Sequence, residues 1–387
     1  MRDRRKSDYW IWVTVIIISI LGLVMVYSSS WPQGIADYND GGKFFKSQIF
    51  AFGIGLLGMT IFSQFISYRI FKGWITEALF FTALILNILV RFISEPVNGA
   101  YRWIELPLGF SFMPSDILKI SMVIMAAKYL SDPKKFQKNH PVKGFIPALL
   151  FLGGPLGILV VLQSDLGTGG ALGIALFMMY IASAVKALYP FLMGVLGILG
   201  GAAMVLVAPY RMKRLTTFID PFADKQGQGW QVVQSLYAIG SGGLFGVGLG
   251  QSRQKYYYLP FAYSDFIFAI FAEEFGLIGS LILIGLYLTF LIRGMRVAIL
   301  VEDRFGKLLA YGISIIIFVQ TMIHIAVASS AIPTTGITMP LFSHGGTSLI
   351  VTMVQIGILL NVSKNIPSKE ARKDKKARKE SSAAAEI

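Results

Sequence analysis

The stretch W-I-W-V-T-V-I-I-I-S-I-L-G-L-V-M-V-Y, residues 10–27, runs without a single charged side chain. A bilayer core asks for ~20 apolar residues per helix, and this run is of that kind. Further runs begin near Phe45, Trp74, Asp116, Ile146, Leu166, Pro190, Phe266, Lys307 and Gly346, which makes about ten spans, several of them interrupted by Gly or Pro. The runs are continuous, whereas a membrane β-barrel would show ~10-residue segments of alternating polarity. The fold class is therefore an all-α polytopic membrane protein. The 55% hydrophobic content of the 387 residues and a mean hydropathy of +0.64 agree with it. Glycine pairs such as Gly153-Gly154 and Gly169-Gly170 allow close helix approach in lipid.

The absence of cysteine excludes disulfides, thiolate chemistry and cysteine metal sites. Three histidines, His140, His324 and His344, are too far apart in sequence for a zinc spacing. The start M-R-D-R-R-K precedes a long first span with no small-residue cleavage site, the pattern of an uncleaved signal anchor.

Basic residues near span ends mark the cytoplasmic side. With the N-terminus inside, the inner loops carry Arg69 and Lys72, then Lys134, Lys135, Lys138 and Lys143, then Lys186, then Arg293, Arg296, Arg304 and Lys307. An even number of spans places both termini in the cytoplasm. Residues 1–363 form one transmembrane domain, and residues 364–387 a basic tail expected to be disordered beside an anionic inner leaflet. The long segment 209–265, between spans seven and eight, departs from the trend. It puts Arg211, Lys213, Arg214, Lys225, Arg253 and Lys255 on the outer face. Long loops tolerate such charge, so one reading is a solvated loop; the sharper one is an anion site for a phosphorylated lipid headgroup.

Five constellations fall on the outer side. Arg102-Trp103-Ile104 is followed by Met113-Pro114-Ser115-Asp116 and Lys119; Ser115 or Asp116 can cap a helix after Pro114, and Asp116 and Lys119 share a face. Gln163-Ser164-Asp165-Leu166-Gly167-Thr168 reads as a turn with Asp165 as a cap. The long loop holds Tyr210-Arg211, Arg214, Gly229-Trp230-Gln231 and Gln234-Ser235, then a glycine-dense run over residues 240–250. Such glycines let backbone amides approach an anion, although the ending of a Walker loop is missing. Asp265 precedes a strongly apolar run that contains Glu273 and Glu274; it is either an N-cap or a catalytic carboxylate, and the two glutamates should face the bundle interior. Last come Ile332-Pro333-Thr334-Thr335-Gly336 and Ser343-His344-Gly345-Gly346-Thr347-Ser348, whose small residues point to a broken helix or re-entrant turn.

Taken in order, these patterns resemble the SEDS family (shape, elongation, division and sporulation) over nearly the whole chain. Members look like R-W-I, P-S-E-x-x-K, Q-P-D-L-G-T, G-Y-Q-x-x-Q-S, G-G-x-x-G-x-G, L-P-E-x-x-T-D-F-I-F-A-x-x-x-E-E, P-x-T-G and S-Y-G-G-S-S. The segments Val26-Tyr27-Ser28-Ser29, Tyr210-Arg211-x-x-Arg214 and residues 254–260 are more similar to FtsW-like division members and their sporulation relatives than to the RodA elongation members.

The resemblance implies a peptidoglycan glycosyltransferase that polymerises lipid II in the bacterial cell membrane, beside a class B penicillin-binding transpeptidase and other divisome membrane proteins, with no nucleic-acid partner. It implies Asp265 as the catalytic carboxylate and dependence on a divalent cation, Mg²⁺ or Mn²⁺, for which Asp265 is the candidate ligand. The expected substrate-binding residues are Arg211, Arg214, Lys255, Lys119, Asp116, Asp165, Gln231, Gln234, Ser343 and Ser348. Phe261 stands where many members carry Glu, Tyr263 and Ser264 replace His or Gln and Thr, His324 replaces Asn, and Ser164 replaces Pro. A helix N-terminus at Asp265 should lower its pKa and weaken it as a base. Alternatives are an elongation polymerase, a lipid flippase or transporter, and a catalytically silent scaffold.

Overall fold

Asp8 opens the first helix: its carboxylate accepts the backbone amides of Trp10 and Ile11, and α1 (Tyr9–Tyr38) follows, with Pro32 inside its last turns. The computed structural model describes residues 7–95, 101–106, 110–134, 136–137, 140–223, 227 and 229–367. Lys135, Lys138, Lys225 and the tail from residue 368 onward lie outside the described residues.

After α1 come α2 (Lys43–Gln64), α3 (Ile75–Ile93), a two-stranded antiparallel hairpin of β1 (Ile104–Leu106) and β2 (Phe110–Phe112), and α4 (Pro114–Ser131). Then follow α5 (Ile146–Gly157), α6 (Leu166–Ala182), α7 (Leu188–Val207), α8 (Pro209–Ile219), α9 (Trp230–Ser241), α10 (Ile267–Leu300), α11 (Arg304–Ala328) and α12 (Gly346–Ser363). Ten of these occupy the ten apolar runs, and among the described residues eight are long and apolar enough to cross a membrane, α5 only as part of a longer helical span, Pro141–Val161. The other two are α4, which carries Asp116, Lys119 and Lys128, and α6, which is 17 residues long. The centre of the bundle is α11 and α12, whose sides are largely buried against α2, α4, α6 and α10.

Polar contacts define the two ends. The Asp8 amide donates to Ser363 Oγ at 3.0 Å and Arg293 pairs with the Asp8 carboxylate, so the first and last described helices terminate together. Lys72–Asp303 at 2.8 Å and Lys128–Glu77 at 2.6 Å join elements at that same end. Asp265, at the start of α10, belongs to the opposite end.

The segment 209–265 is not a loose solvated loop. It contains α8 and α9, and residues 242–250 dock on α10 where that helix breaks. Gly276 has φ 66° and ψ −165°, a conformation open to glycine. An unbroken helix would bond Leu277 to Glu273 and Ile278 to Glu274. Here the carbonyls of Glu273 and Glu274 accept from Val247 and Gly248 at 2.9 and 3.1 Å, and the amides of Leu277 and Ile278 donate to Gly243 and Leu244 at 2.9 and 3.1 Å. A break nine residues into α10 lies ~14 Å along its axis, a depth at which lipid leaves no backbone group unpaired. A β-carbon on Gly246 would stand 2.2 Å from Glu274 O, and one on Gly242 2.0 Å from Ala272 O. The glycines therefore serve a backbone-to-backbone joint, and the amides of Val247 and Gly248 are spent on it rather than on an anion.

Candidate active site

Four stretches distant in sequence meet at Asp265. The turn before α6 comes first. Ser164 takes φ 58°, and Asp165 then caps α6 by accepting the Thr168 amide at 3.1 Å. Proline, fixed near φ −65°, cannot adopt that backbone, so Ser164 gives a turn that the Q-P-D pattern would not. Tyr101 donates its amide to Gln163 O at 3.3 Å and so lays residues 101–103 along this turn. Arg102 then reaches Asp165, Nη2 to Oδ1 3.2 Å, while its Nη1 donates to Gly336 O at 3.2 Å. From α8, Arg214 Nη1 donates to Thr334 O at 3.1 Å. The stretch Thr334-Thr335-Gly336 thus collects two guanidiniums through its carbonyls.

Gly336 is where Asp265 joins them. It has φ 71°, and a β-carbon there would lie 3.4 Å from Arg102 Nη1 and 3.4 Å from Asp265 Oδ2. Asp265 itself is half-buried. Its carboxylate does not cap α10, because Phe266 occupies the cap position without a side-chain bond. The expected lowering of its pKa does not occur. Burial raises the Asp265 carboxyl above its ordinary 3.8, against the pull of Arg102, a hydrogen bond from Ser264 and the charge of Arg214; Asp165 adds to the rise. The result is a carboxylate that is both a stronger base and held between positive charges. Around it, burial pushes Tyr263 up to about 12 and His344 down to about 4, so both are neutral near pH 7.

Ser343 belongs to the same wall: its hydroxyl donates to Ser264 O at 2.7 Å and accepts the Met339 amide at 2.8 Å. Gln48 holds the turn from below, donating to Ser343 O at 3.0 Å and accepting the Gly345 amide at 3.1 Å.

The remaining residues singled out from the sequence go elsewhere. Asp116 and Lys119 pair at 2.8 Å inside the first turn of α4, whose cap is Met113 rather than Ser115 or Asp116. Lys119 also donates to Gln320 Oε1 at 3.0 Å. With Ser348 this pair lines an enclosed space of about 10 Å³, on the order of one water molecule. Arg211 is buried and committed to carbonyls, Nη1 to Met204 O at 2.8 Å and Nη2 to Val160 O at 2.6 Å, so it ties α8 to α7 and to the end of the α5 span. Lys255 is buried and donates to Ser28 Oγ, Gly250 O and Glu274 Oε1 at 3.0, 2.7 and 2.9 Å. An ammonium has three donors, and all three are used inside the protein. Gln231 and the buried Gln234 lie on α9, anchored by Ser235 Oγ donating to Ala328 O. Arg102 is the site residue that reading the sequence passed over, although the R-W-I pattern marked its position.

Among the described residues, no three His, Cys, Asp or Glu side chains converge on one point. Asp165 Oδ2 is buried without a partner beside Asp265. Two carboxylates with the rest of the shell from water and phosphate is a usual donor set for Mg²⁺. The arginines offset both charges, so any such ion would depend on substrate oxygens.

Comparison with known proteins gives the family of the chain. Residues 8–367 match the cell cycle protein family of FtsW, RodA and SpoVE. The chain belongs to the SEDS family. It is 39% identical over 364 residues to Stage V sporulation protein E of Bacillus subtilis (strain 168), covering 93% of this chain and 98% of that one. It is 36% identical to the "Probable peptidoglycan glycosyltransferase FtsW" of Geobacter sp. (strain M18), covering 94% and 98%. Among solved structures, this SEDS protein matches a chain of a peptidoglycan synthase complex described as coordinating polymerization and crosslinking, with TM-score 0.72, 28% identity and coverage of 92% and 97%. It also matches an aspartate-to-alanine variant of the rod shape determining protein RodA of Thermus thermophilus, with TM-score 0.70, 25% identity and coverage of 94% and 99%.

Proposed function

We propose that this protein is a peptidoglycan glycosyltransferase of the bacterial cell membrane that polymerises lipid II, with septal synthesis during division as its setting. The observation that carries the reading is a half-buried carboxylate with a raised pKa, Asp265, beside two guanidiniums at one end of a membrane-crossing helix. Glycosyl transfer from a lipid diphosphate needs that pairing of a base and anion-stabilising charge. The basic residues grouped at the opposite end support an orientation with both termini in the cytoplasm and Asp265 at the outer surface.

In the reaction, the 4-hydroxyl of an acceptor GlcNAc attacks C1 of a donor MurNAc. The new O–C1 bond forms as the C1–O bond to undecaprenyl pyrophosphate breaks, and the bonding electrons leave with the pyrophosphate. Asp265 accepts the hydroxyl proton. Arg102 and Arg214 lie where they can meet the departing charge. Asp165 holds Arg102 by its ion pair, and the carbonyls of Gly336 and Thr334 aim the two guanidiniums. Mg²⁺ or Mn²⁺, when bound by Asp265 with Asp165 nearby, supplies Lewis-acid stabilisation of phosphate charge.

The partner is a class B penicillin-binding transpeptidase, supported by the likeness to a synthase complex that joins polymerization to crosslinking; other divisome membrane proteins complete the assembly. The test is labelled lipid II in sealed vesicles with the purified chain and its partner, read as polymer and as leaflet exchange. Polymer without exchange is the expected outcome, and exchange without polymer overturns it in favour of a flippase.

A further inference from the structure

Because Gly276 interrupts α10, its first nine residues form a short helical piece whose direction the rest of the helix does not dictate. This piece carries Asp265 at its head. Its tail is held by side chains that the proposed reaction does not use. Lys255 Nζ meets Glu274 Oε1 at 2.9 Å, with side-chain exposures of 3% and 0%. Ser28 of α1 donates to Glu274 at 2.8 Å and accepts from Lys255 at 3.0 Å. Glu273 accepts the Ser252 hydroxyl and the Arg253 amide, and Tyr257 donates its hydroxyl to Pro32 O at 2.7 Å. Residues 255 and 274 thereby close a loop, and Asp265 sits at its middle.

We propose that Lys255 is a positioning residue for Asp265, acting through Glu274 and Ser28. The inference rests on Asp265 being the acting carboxylate. A buried ion pair seldom outdoes well-packed apolar residues in stability, so stability is a weak account of this one. What the pair does supply is a fixed distance between the end of the glycine joint and the first turns of α10. A shift of about 1 Å at a reacting group costs on the order of 100-fold in rate, so the strap need move little to matter.

The experiment uses the full chain with its transpeptidase partner and measures lipid II polymerisation and thermal stability for Lys255→Met, Glu274→Gln and the double variant. Each single change leaves one buried charge alone and should lower both Tm and kcat, the latter by about 10- to 100-fold with KM within about 2-fold. The double variant leaves no lone charge, so its Tm should return toward wild type while kcat stays low. Recovery of kcat together with Tm reduces the pair to a stability element and overturns the proposal, as does a single variant of wild-type kcat. Asp265→Asn run in parallel separates the two ideas. An active Asp265→Asn removes the catalytic reading and this inference with it. An inactive Asp265→Asn beside a fully active Lys255→Met removes the positioning role alone.

Discussion

Arg102 and Asp265 face each other across Gly336, so that a single β-carbon placed there would touch Nη1 of one and Oδ2 of the other, each at 3.4 Å. The gap between base and cation is kept open by the absence of a side chain.

Gly336→Ala should therefore harm activity more than stability. A non-glycine residue at φ 71° costs about 1–3 kcal/mol. The added methyl also presses on both functional groups, for which a loss of at least about 10-fold in kcat is expected. Polymerisation kinetics beside a melting curve check it; a variant with lowered Tm but unchanged kcat would count against the placement of Arg102.

The raised pKa of Asp265 sets the acid limb of the pH profile. Activity should fall as pH drops through a value above the ordinary 3.8, because the base becomes protonated. Arg102 pulls that value down, so Arg102→Gln should move the limb to higher pH as well as lower the rate. Stability runs the other way. A carboxyl whose pKa is raised by folding favours the folded state below its unfolded pKa and loses that contribution as pH rises through the folded one. Asp265→Asn should accordingly melt no lower than wild type at neutral pH, and a clearly lower Tm there would contradict the burial of a charge.

Ser164 holds a left-handed conformation, φ 58°, at the turn that presents Asp165. Ser164→Gly should stabilise by about 1 kcal/mol and leave activity near wild type. Ser164→Pro demands a different turn, removes the setting of Asp165 and Arg102, and should lower kcat at least about 10-fold. Equal behaviour of the two variants would argue against the turn as drawn.

Chelation offers a separate check. If Asp265 and the unpartnered oxygen of Asp165 hold a divalent ion with the substrate, excess chelator should abolish polymerisation and Mg²⁺ or Mn²⁺ should restore it. Full activity in chelator would leave the guanidiniums as the whole of the anion-stabilising charge.

The ten apolar runs were legible because length and hydrophobicity alone define a span. Asp165 was legible as a cap, and Glu273 and Glu274 as inward-facing, because each follows from a local rule. The glycine run of residues 240–250 suggested amides approaching an anion, but the same flexibility suits another backbone. Only the break at Gly276, far along the chain, decides between them. Lys255 and Arg211 looked like phosphate ligands because charge is visible in a sequence, whereas a buried acceptor such as Glu274 or Val160 O is not assigned to them by any spacing. Arg102 was missed for the same reason: its partners, Asp165 and Gly336, meet it only in three dimensions. The expected fall in the Asp265 pKa failed because a rule about helix ends said nothing of the burial of this carboxyl, which does not cap the helix.

If Asp265 is the acting carboxylate, exchanging its carboxyl for an amide should stop strand synthesis without disturbing the fold. Wild type and Asp265→Asn, each purified with the transpeptidase partner, are compared for glycan strands made from labelled lipid II at neutral pH. The account expects equal expression and partner binding with a rate at least about 100-fold lower for the variant, the scale of a general base removed. Strand synthesis by Asp265→Asn at the wild-type rate would contradict it.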